Sequence, residues 1–390
     1  MPTLSHKIRL DPTAKQANAL ARACGVARFA WNWALTEWQS QYEAGEKPTA
    51  NGLKKRWNEI KGEQFPWVYE SPRDANSQPF TNLQAAFRRF FSGKARYPSF
   101  KKKGQHDSFY VANDKLKMES SRVRLPVIGW LRIREPLRFD GKILSATVSR
   151  EASQWHIAIQ VQLAEDLPQT EGSGTVGVDL GVSHVATLST GEQIDAPKPL
   201  AKHLKKLRRL QRAVSRKQKG SKNREKAKRK VARLHCRIKN IRQDALHKLT
   251  HRLTHENQVI VIEDLNVAGM VRNRHLARAI SDVGMGEFRR QIAYKSGLYG
   301  VELLVADRWY PSSKTCSDCG AVRALLSLGE RTFVCAECGS VKDRDLNAAL
   351  NLRTLGLRGM ACGPEGAGSA TSETGRDEAG TMPCSLVGTR

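Results

Sequence analysis

A chain of 390 residues is long enough for two or three domains with cores of their own, and its 65 Lys and Arg against 38 Asp and Glu leave a formal net charge of +27. That excess argues for a polyanionic partner, a nucleic acid before a membrane, because a membrane surface asks for a basic amphipathic helix with a strong apolar face. The N-terminal Met-Pro-Thr-Leu-Ser-His-Lys-Ile-Arg-Leu has no apolar core and no stretch approaches a membrane span, so the expected protein is cytoplasmic, with no membrane partner and its eight cysteines reduced.

In chain order, Asp11-Pro12-Thr13 followed by Gln16 is a helix start, with Thr13 and Gln16 spaced for a capping box. Behind it Ala17, Leu20, Cys24, Ala27, Trp31, Leu35 and Trp38 recur at steps of three and four, one face of a long amphipathic helix in which Cys24 is a small core residue. A second helical stripe carries Phe80, Leu83, Phe87 and Phe91, and runs into a basic loop, Tyr97-Pro-Ser-Phe100-Lys101-Lys102-Lys103. The loop's lysines are candidate phosphate contacts, and Tyr97, Phe100, Phe109 and Tyr110 are either base-stacking rings or core.

The period then changes to two. Val123-Arg-Leu125, Trp130-Leu-Arg-Ile133 and Trp155 to Leu163 alternate as strands of an antiparallel sheet or barrel do. The turn-rich segment 166–175 reads as a linker. Two strands follow across Thr175 to Thr190, and then a helical hairpin opened by Leu204, Leu207, Leu210 and Val214 and closed by Leu234, Ile238, Ile241, Ala245, Leu249 and Leu253. Its tip, around Gly220-Ser221, is dense in Lys and Arg. Arg216, Lys217, Arg229 and Lys230 there are candidate phosphate contacts without base specificity. Val259 to Ile262 and Val301 to Val305 read as buried strands. The tail from about Gly359 lacks periodicity and is expected to be disordered.

Three acidic words stand out: Gly-Val-Asp179-Leu-Gly, Val-Ile-Val-Ile-Glu263-Asp-Leu and Asp-Arg-Asp345-Leu-Asn-Ala-Ala. Singly each is weak, since Asp before Gly is a common turn and Glu-Asp after a strand a common helix cap. Together they are not. Asp179 interrupts an apolar strand, where a lone charge is costly unless a cation neutralises it. Glu263 ends an apolar strand, and Asp345 opens a helix rich in Ala and Leu. A carboxylate on a central strand, one on a neighbouring strand end and one on a packed helix describe a ribonuclease H architecture. Such a set can hold two Mg²⁺ ions, which stabilise the attacking and leaving oxygens of a phosphodiester. Strand alternation sends Asp264 away from Glu263, and Asp343 is placed to cap the helix that Asp345 opens, so Glu263 and Asp345 are preferred. Cys316-x-x-Cys319 and Cys335-x-x-Cys338, fifteen residues apart, match a four-thiolate zinc ribbon whose single Zn²⁺ is structural, because four thiolates close its coordination sphere.

The order of these motifs, with Tyr310-Pro-Ser-Ser-Lys-Thr before the ribbon and Phe90-Phe-x-Gly-Lys followed by Tyr97-Pro-x-Phe-Lys-Lys-Lys, resembles TnpB, the RNA-guided nuclease of bacterial insertion sequences, up to about Leu357. The resemblance implies an α+β multidomain protein. Residues 1–10 and 97–165 would form a wedge β-barrel, with a helical recognition insertion at 11–96. After the 166–175 linker, residues 176–310 and 340–358 would form a ribonuclease H-like (RuvC) α/β nuclease domain. The zinc ribbon at 311–339 would be its target-nucleic-acid-binding insertion, and 359–390 the disordered tail. It also implies a guide RNA and double-stranded target DNA with a flanking motif as partners, in a monomeric ribonucleoprotein of the bacterial cytosol. Asp179, Glu263 and Asp345 then fall on the family's three metal ligands, and hydrolysis should leave a 5′-phosphate and a 3′-hydroxyl, with Asp179 bridging both Mg²⁺ ions. Other readings are a DNA transposase, a nuclease-inactive guided regulator of the same fold, which the three intact carboxylates disfavour, and a zinc scaffold that only binds RNA.

Overall fold

The structure, a computed structural model, describes residues 1–327 and 329–361, and the chain divides into two compact units, Met1–Asp166 and the segment from Leu167 onward. The tail expected to be disordered lies outside the described residues beyond Ala361.

The first unit joins three helices to an antiparallel sheet. Strand β1 (Thr3–Asp11) precedes α1 (Ala14–Glu43), α2 (Ala50–Gln64), a 3₁₀ turn at Pro66–Glu70 and α3 (Arg73–Phe91). Thr13 caps α1 with the expected box: its hydroxyl accepts from the Gln16 amide and the Gln16 side chain accepts from its own. Leu20, Cys24, Ala27, Trp31 and Leu35 are the buried stripe of α1. They meet α3 through rings: Trp38 stacks on Phe87 with centroids 4.1 Å apart, and the fully buried Trp57 of α2 donates Nε1–H to Asn76. Phe91 ends the stripe 70% exposed.

Six more strands follow: β2 (Ser108–Ala112), β3 (Lys117–Glu119), β4 (Arg122–Leu125), β5 (Gly129–Ile133), β6 (Gly141–Glu151) and β7 (Gln154–Leu163). They pair in the order β2-β6-β7-β1-β5-β4-β3, every pairing antiparallel. In β7 every second residue from Trp155 to Leu163 is buried, as the sequence alternation requires. The expected barrel is not found. The edges β2 and β3 do not pair with each other, so the described strands form an open sheet. Alternation specifies a strand and its buried face, whereas closure depends on edge hydrogen bonding that no local pattern encodes.

The second unit is built on a mixed sheet of β8 (Thr175–Asp179), β9 (His184–Leu188), β10 (Gln193–Asp195), β11 (Val259–Glu263) and β12 (Glu302–Ala306), in the order β10-β9-β8-β11-β12. β8, β11 and β12 run parallel; β9 and β10 run as antiparallel hairpins beside them. Between β10 and β11 lies the helical hairpin, α4 (Pro199–Ser215) and α5 (Lys222–Glu256), closed by a small apolar core of Leu207, Leu234 and Ile238. Helices α6 (Val267–Met270), α7 (Ala277–Val283) and α8 (Met285–Tyr299) connect β11 to β12. A short hairpin, β13 (Thr332–Val334) with β14 (Val341–Asp343), leads into the last helix, α9 (Arg344–Ala361).

The sheet is covered on both faces. Val176, Val178, Ile260 and Ile262 pack with Leu246, Leu249 and Leu253 of α5 and Phe288 and Ile292 of α8. The alternate residues Val259 and Val261 pack with Leu352 of α9. Contact with α9 is close enough to require glycine on both partners. A Cβ on Gly177 of β8 would lie 2.0 Å from the Ala349 carbonyl, and one on Gly356 of α9 would lie 2.6 Å from Val261 Cγ2.

Candidate functional site

Side chains alternate across a strand, so Asp179 lies on the face of β8 that Gly177 turns to α9, and Glu263 lies on the face of β11 shared by Val259 and Val261. The register that pairs Val261 with Gly177 and Ile262 with Val178 brings Glu263 beside Asp179 at the ends of adjacent parallel strands. Asp345 is the second residue of α9, the helix that covers this same face. Three carboxylates from distant segments therefore converge at the C-terminal ends of two adjacent interior strands.

Their electrostatics follow from that convergence. Burial first, then the Glu263 and Asp345 charges, push the Asp179 carboxyl up to about 8, against a partial opposing pull from Arg344. Asp345 is approached by two guanidiniums, Arg344 at 3.4 Å and Arg331 at 3.7 Å. Asp343, as expected, caps the helix: its Oδ1 accepts from the amides of Asp345 and Leu346, at 2.9 and 3.0 Å. Asp264 points the other way and is held ionised by Arg289 (2.5 Å) and Arg308 (2.6 Å).

Several contributors lie outside the residues singled out from the sequence. Ser312, only 3% exposed, donates its hydroxyl to Glu263 Oε1. The segment around it is clamped by two buried amides of α9. Asn351 Nδ2 donates to the carbonyls of Ser312 (2.7 Å) and Thr315 (2.6 Å), and Asn347 both donates to Thr315 (2.7 Å) and accepts from the Ser317 amide (3.0 Å). Two polar residues four apart on an Ala-Leu helix face were the legible trace of this clamp.

The clamped segment opens the ribbon. The sulfurs of Cys316, Cys319, Cys335 and Cys338 all lie within 4.8 Å of one another, with Cys316–Cys338 at 3.7 Å and Cys319–Cys335 at 3.6 Å. A tetrahedron with Zn–S of about 2.3 Å has edges of about 3.8 Å, so the thiolate cage fits zinc. Backbone amides of Cys338 and Glu337 draw the Cys335 thiol down to about 7, while the neighbouring sulfurs push Cys338 and Cys319 up, so in the metal-free cluster the thiols oppose one another's ionisation. Among the described residues these four cysteines form the cluster of potential ligands drawn that tightly together.

The basic candidates divide. Lys101 is tied down, its ammonium 4.1 Å from the Trp31 ring centroid and its backbone bonded both ways to Asn32. Lys102, Lys103, Arg216, Lys217, Arg229 and Lys230 are exposed. Of the rings proposed for stacking, Phe109 is buried in β2, whereas Tyr97 and Phe100 are about half exposed.

Comparison with known proteins decides the family. Residues 158–274 match a model described as "Probable transposase" (OrfB_IS605), residues 286–352 one described as "Cas12f1-like, TNB domain", and residues 1–47 a helix-turn-helix domain of the same OrfB group. A "Putative RNA-guided DNA endonuclease" of Streptomyces pristinaespiralis is 40% identical over 372 residues, covering 92% of this chain and 90% of that protein. The chain belongs to the TnpB family. InsQ of Escherichia coli (strain K12), named in the same terms, is 36% identical across 92% of this chain and 93% of its own. The TnpB fold here is like that in a solved Cas12f1-sgRNA-target DNA complex, with TM-score 0.56 at 14% identity, covering 87% of this chain and 83% of that one.

Proposed function

We propose that this TnpB-family chain is an RNA-guided DNA endonuclease whose hydrolytic centre is Asp179, Glu263 and Asp345. The observation that carries the reading is the gathering of these three side chains on the α9 face of a ribonuclease H-like sheet. Support comes from a 40% identical relative of matching length that carries the endonuclease name. In this reading the first unit is the wedge and recognition part, the second is the RuvC-like nuclease, and 311–339 is a zinc-bearing insertion that engages target nucleic acid. Guide RNA pairing reads the target, and the protein reads heteroduplex shape and a short flanking motif.

The donor set suits Mg²⁺: three carboxylates, hard oxygen ligands, converge where burial and mutual repulsion leave a cation as the natural counter-charge. Asp179, Glu263 and Asp345 would hold such ions, which would supply charge stabilisation to the attacking and leaving oxygens. The chain's own work is positional. Ser312 fixes the Glu263 carboxylate, Asp343 fixes the first turn that presents Asp345, and the short Gly177–α9 approach sets the distance between helix and sheet. Water attacks phosphorus and the bond to the 3′ oxygen breaks, leaving a 3′-hydroxyl and a 5′-phosphate.

The test is to express the chain beside its native flanking DNA, sequence the copurifying RNA, and offer the matching duplex with Mg²⁺. A discrete RNA and cuts at fixed positions are expected, with Asp179→Ala abolishing cleavage and keeping the RNA. Heterogeneous RNA with strand-joined DNA products would instead establish a transposase. Loss of RNA in the Asp179→Ala variant would remove the purely catalytic assignment.

A further inference from the structure

On the side of the sheet edge to which Asp264 points, the ends of β11 and β12 frame an open groove of about 520 Å³, lined by Asp264, Arg289, Val305, Arg308 and Trp309. Trp309 is 85% exposed, and Val305 beside it is 45% exposed. Among the described residues its ring stacks on no aromatic ring or cation, although an indole buries roughly 150–250 Å² when it is used in packing. The neighbouring Tyr310 shows the contrast: it turns inward, packs with the Val259–Leu352 cluster and donates its hydroxyl to the Asn351 carbonyl.

The exposed indole is held in place by its backbone. Asp307 Oδ1 accepts from the Trp309 amide at 2.8 Å, and the Tyr310 amide donates to the Asp307 carbonyl at 3.0 Å, a tight turn that pushes the ring outward. The two guanidiniums are held as well, since Asp264 binds both and leaves their remaining N–H groups at the surface; their side chains are 40% and 48% exposed. Both acidic groups of the groove are thus engaged internally, and what it offers outward is one aromatic face and two fixed cations. That combination matches an unpaired base with its phosphate, because stacking needs a free π-face and a fixed guanidinium suits a phosphate oxygen. A duplex offers no free face away from its ends.

We propose that Trp309, with Arg289 and Arg308, forms a stacking subsite for one base of the single DNA strand delivered to the carboxylates. The location fits. Trp309 stands three residues before Ser312, the partner of Glu263, so its Cα lies within about 11 Å of that residue by chain reach. The groove and the carboxylates thus share the same end of β11, with the groove on the side of the strand opposite Glu263. This rests on the endonuclease reading for the strand's identity, but the subsite is tested without hydrolysis.

The experiment uses the full chain carrying Asp179→Ala, as purified with its RNA, and two fluorescein-labelled strands of equal length: oligothymidylate and a fully abasic strand. Stacking losses of about 1–3 kcal/mol per base correspond to roughly 5- to 150-fold. Trp309→Ala is expected to weaken oligothymidylate binding by about tenfold and leave the abasic strand unchanged. Trp309→Phe should restore most of the loss. Equal weakening of both strands, or of neither, overturns the proposal. If the base-dependent loss appears but the native chain never cuts DNA, the subsite stands and the nuclease reading falls. If the native chain cuts normally and no such loss appears, the subsite alone falls.

Discussion

At the scale of single residues, the site is a problem of like charges. Asp179 binds its proton up to about pH 8 in the metal-free chain because burial and the Glu263 and Asp345 charges oppose ionisation. Its unfolded value is about 3.9. Between those two pH values the native state holds a proton that the unfolded state has released. The stability that Asp179 contributes without divalent cations must therefore fall as pH rises from about 4 to about 8 and level off above. Asp179→Asn removes that dependence. In chelator, the native chain is expected to lose on the order of a few kcal/mol relative to Asp179→Asn between pH 5 and pH 8, read as diverging thermal midpoints; parallel curves would contradict the geometry. Ser312 gives a second prediction. A hydrogen bond to a charged group contributes about 1.5–3 kcal/mol, so Ser312→Ala should slow cleavage roughly 10- to 100-fold. It should also raise the Mg²⁺ concentration needed for half-maximal rate, with RNA retention unchanged; a rate loss with no shift in Mg²⁺ demand would mean Ser312 is only packing. The carboxylates were legible in the sequence because each sits in a local word whose strand or helix context makes a charge costly. Ser312 was not, because its partner Glu263 lies 49 residues earlier and only the fold joins them.

At the scale of elements, the approach of α9 to β8 sets the geometry. Gly177→Ala would place a methyl 2.0 Å from the Ala349 carbonyl and 2.6 Å from the Arg353 amide, so helix and strand must separate. Overpacking of this kind costs about 1–3 kcal/mol or more, and cleavage should fall with the thermal midpoint. Gly297→Ala is the matched control. It lies within α8 with nothing inside 4 Å of the new methyl, and should be stabilising by up to about 1 kcal/mol. If both substitutions cost the same, close approach is not the reason for Gly177. Elements were the most readable level of the chain. The capping box, the alternating burial of β7 and the helical hairpin all appear where periodicity put them. The barrel did not, because whether β2 meets β3 is decided by twist and edge pairing far from either strand's own residues.

At the scale of the whole molecule, the net charge of +27 calls for a polyanionic partner. Arg216, Lys217, Arg229 and Lys230 are exposed on the α4–α5 hairpin, away from the sheet core. Replacing all four with Ala should leave the thermal midpoint unchanged while making nucleic-acid binding weaker and less sensitive to salt. The slope of log K against log salt should shrink by about 0.9 for each duplex phosphate that the variant no longer neutralises. An unchanged slope would assign the hairpin's charge to solvation alone. The helix bearing Asp345 is the last described element of the chain, yet it covers the face on which Asp179 and Glu263 stand and anchors the ribbon's entry through Asn347 and Asn351. Domains emerge from the ribosome N-terminal end first. A nascent or prematurely terminated copy therefore carries two of the three acids, a bare sheet face and an unanchored ribbon. The three-carboxylate face is therefore assembled only after α9 has left the ribosome.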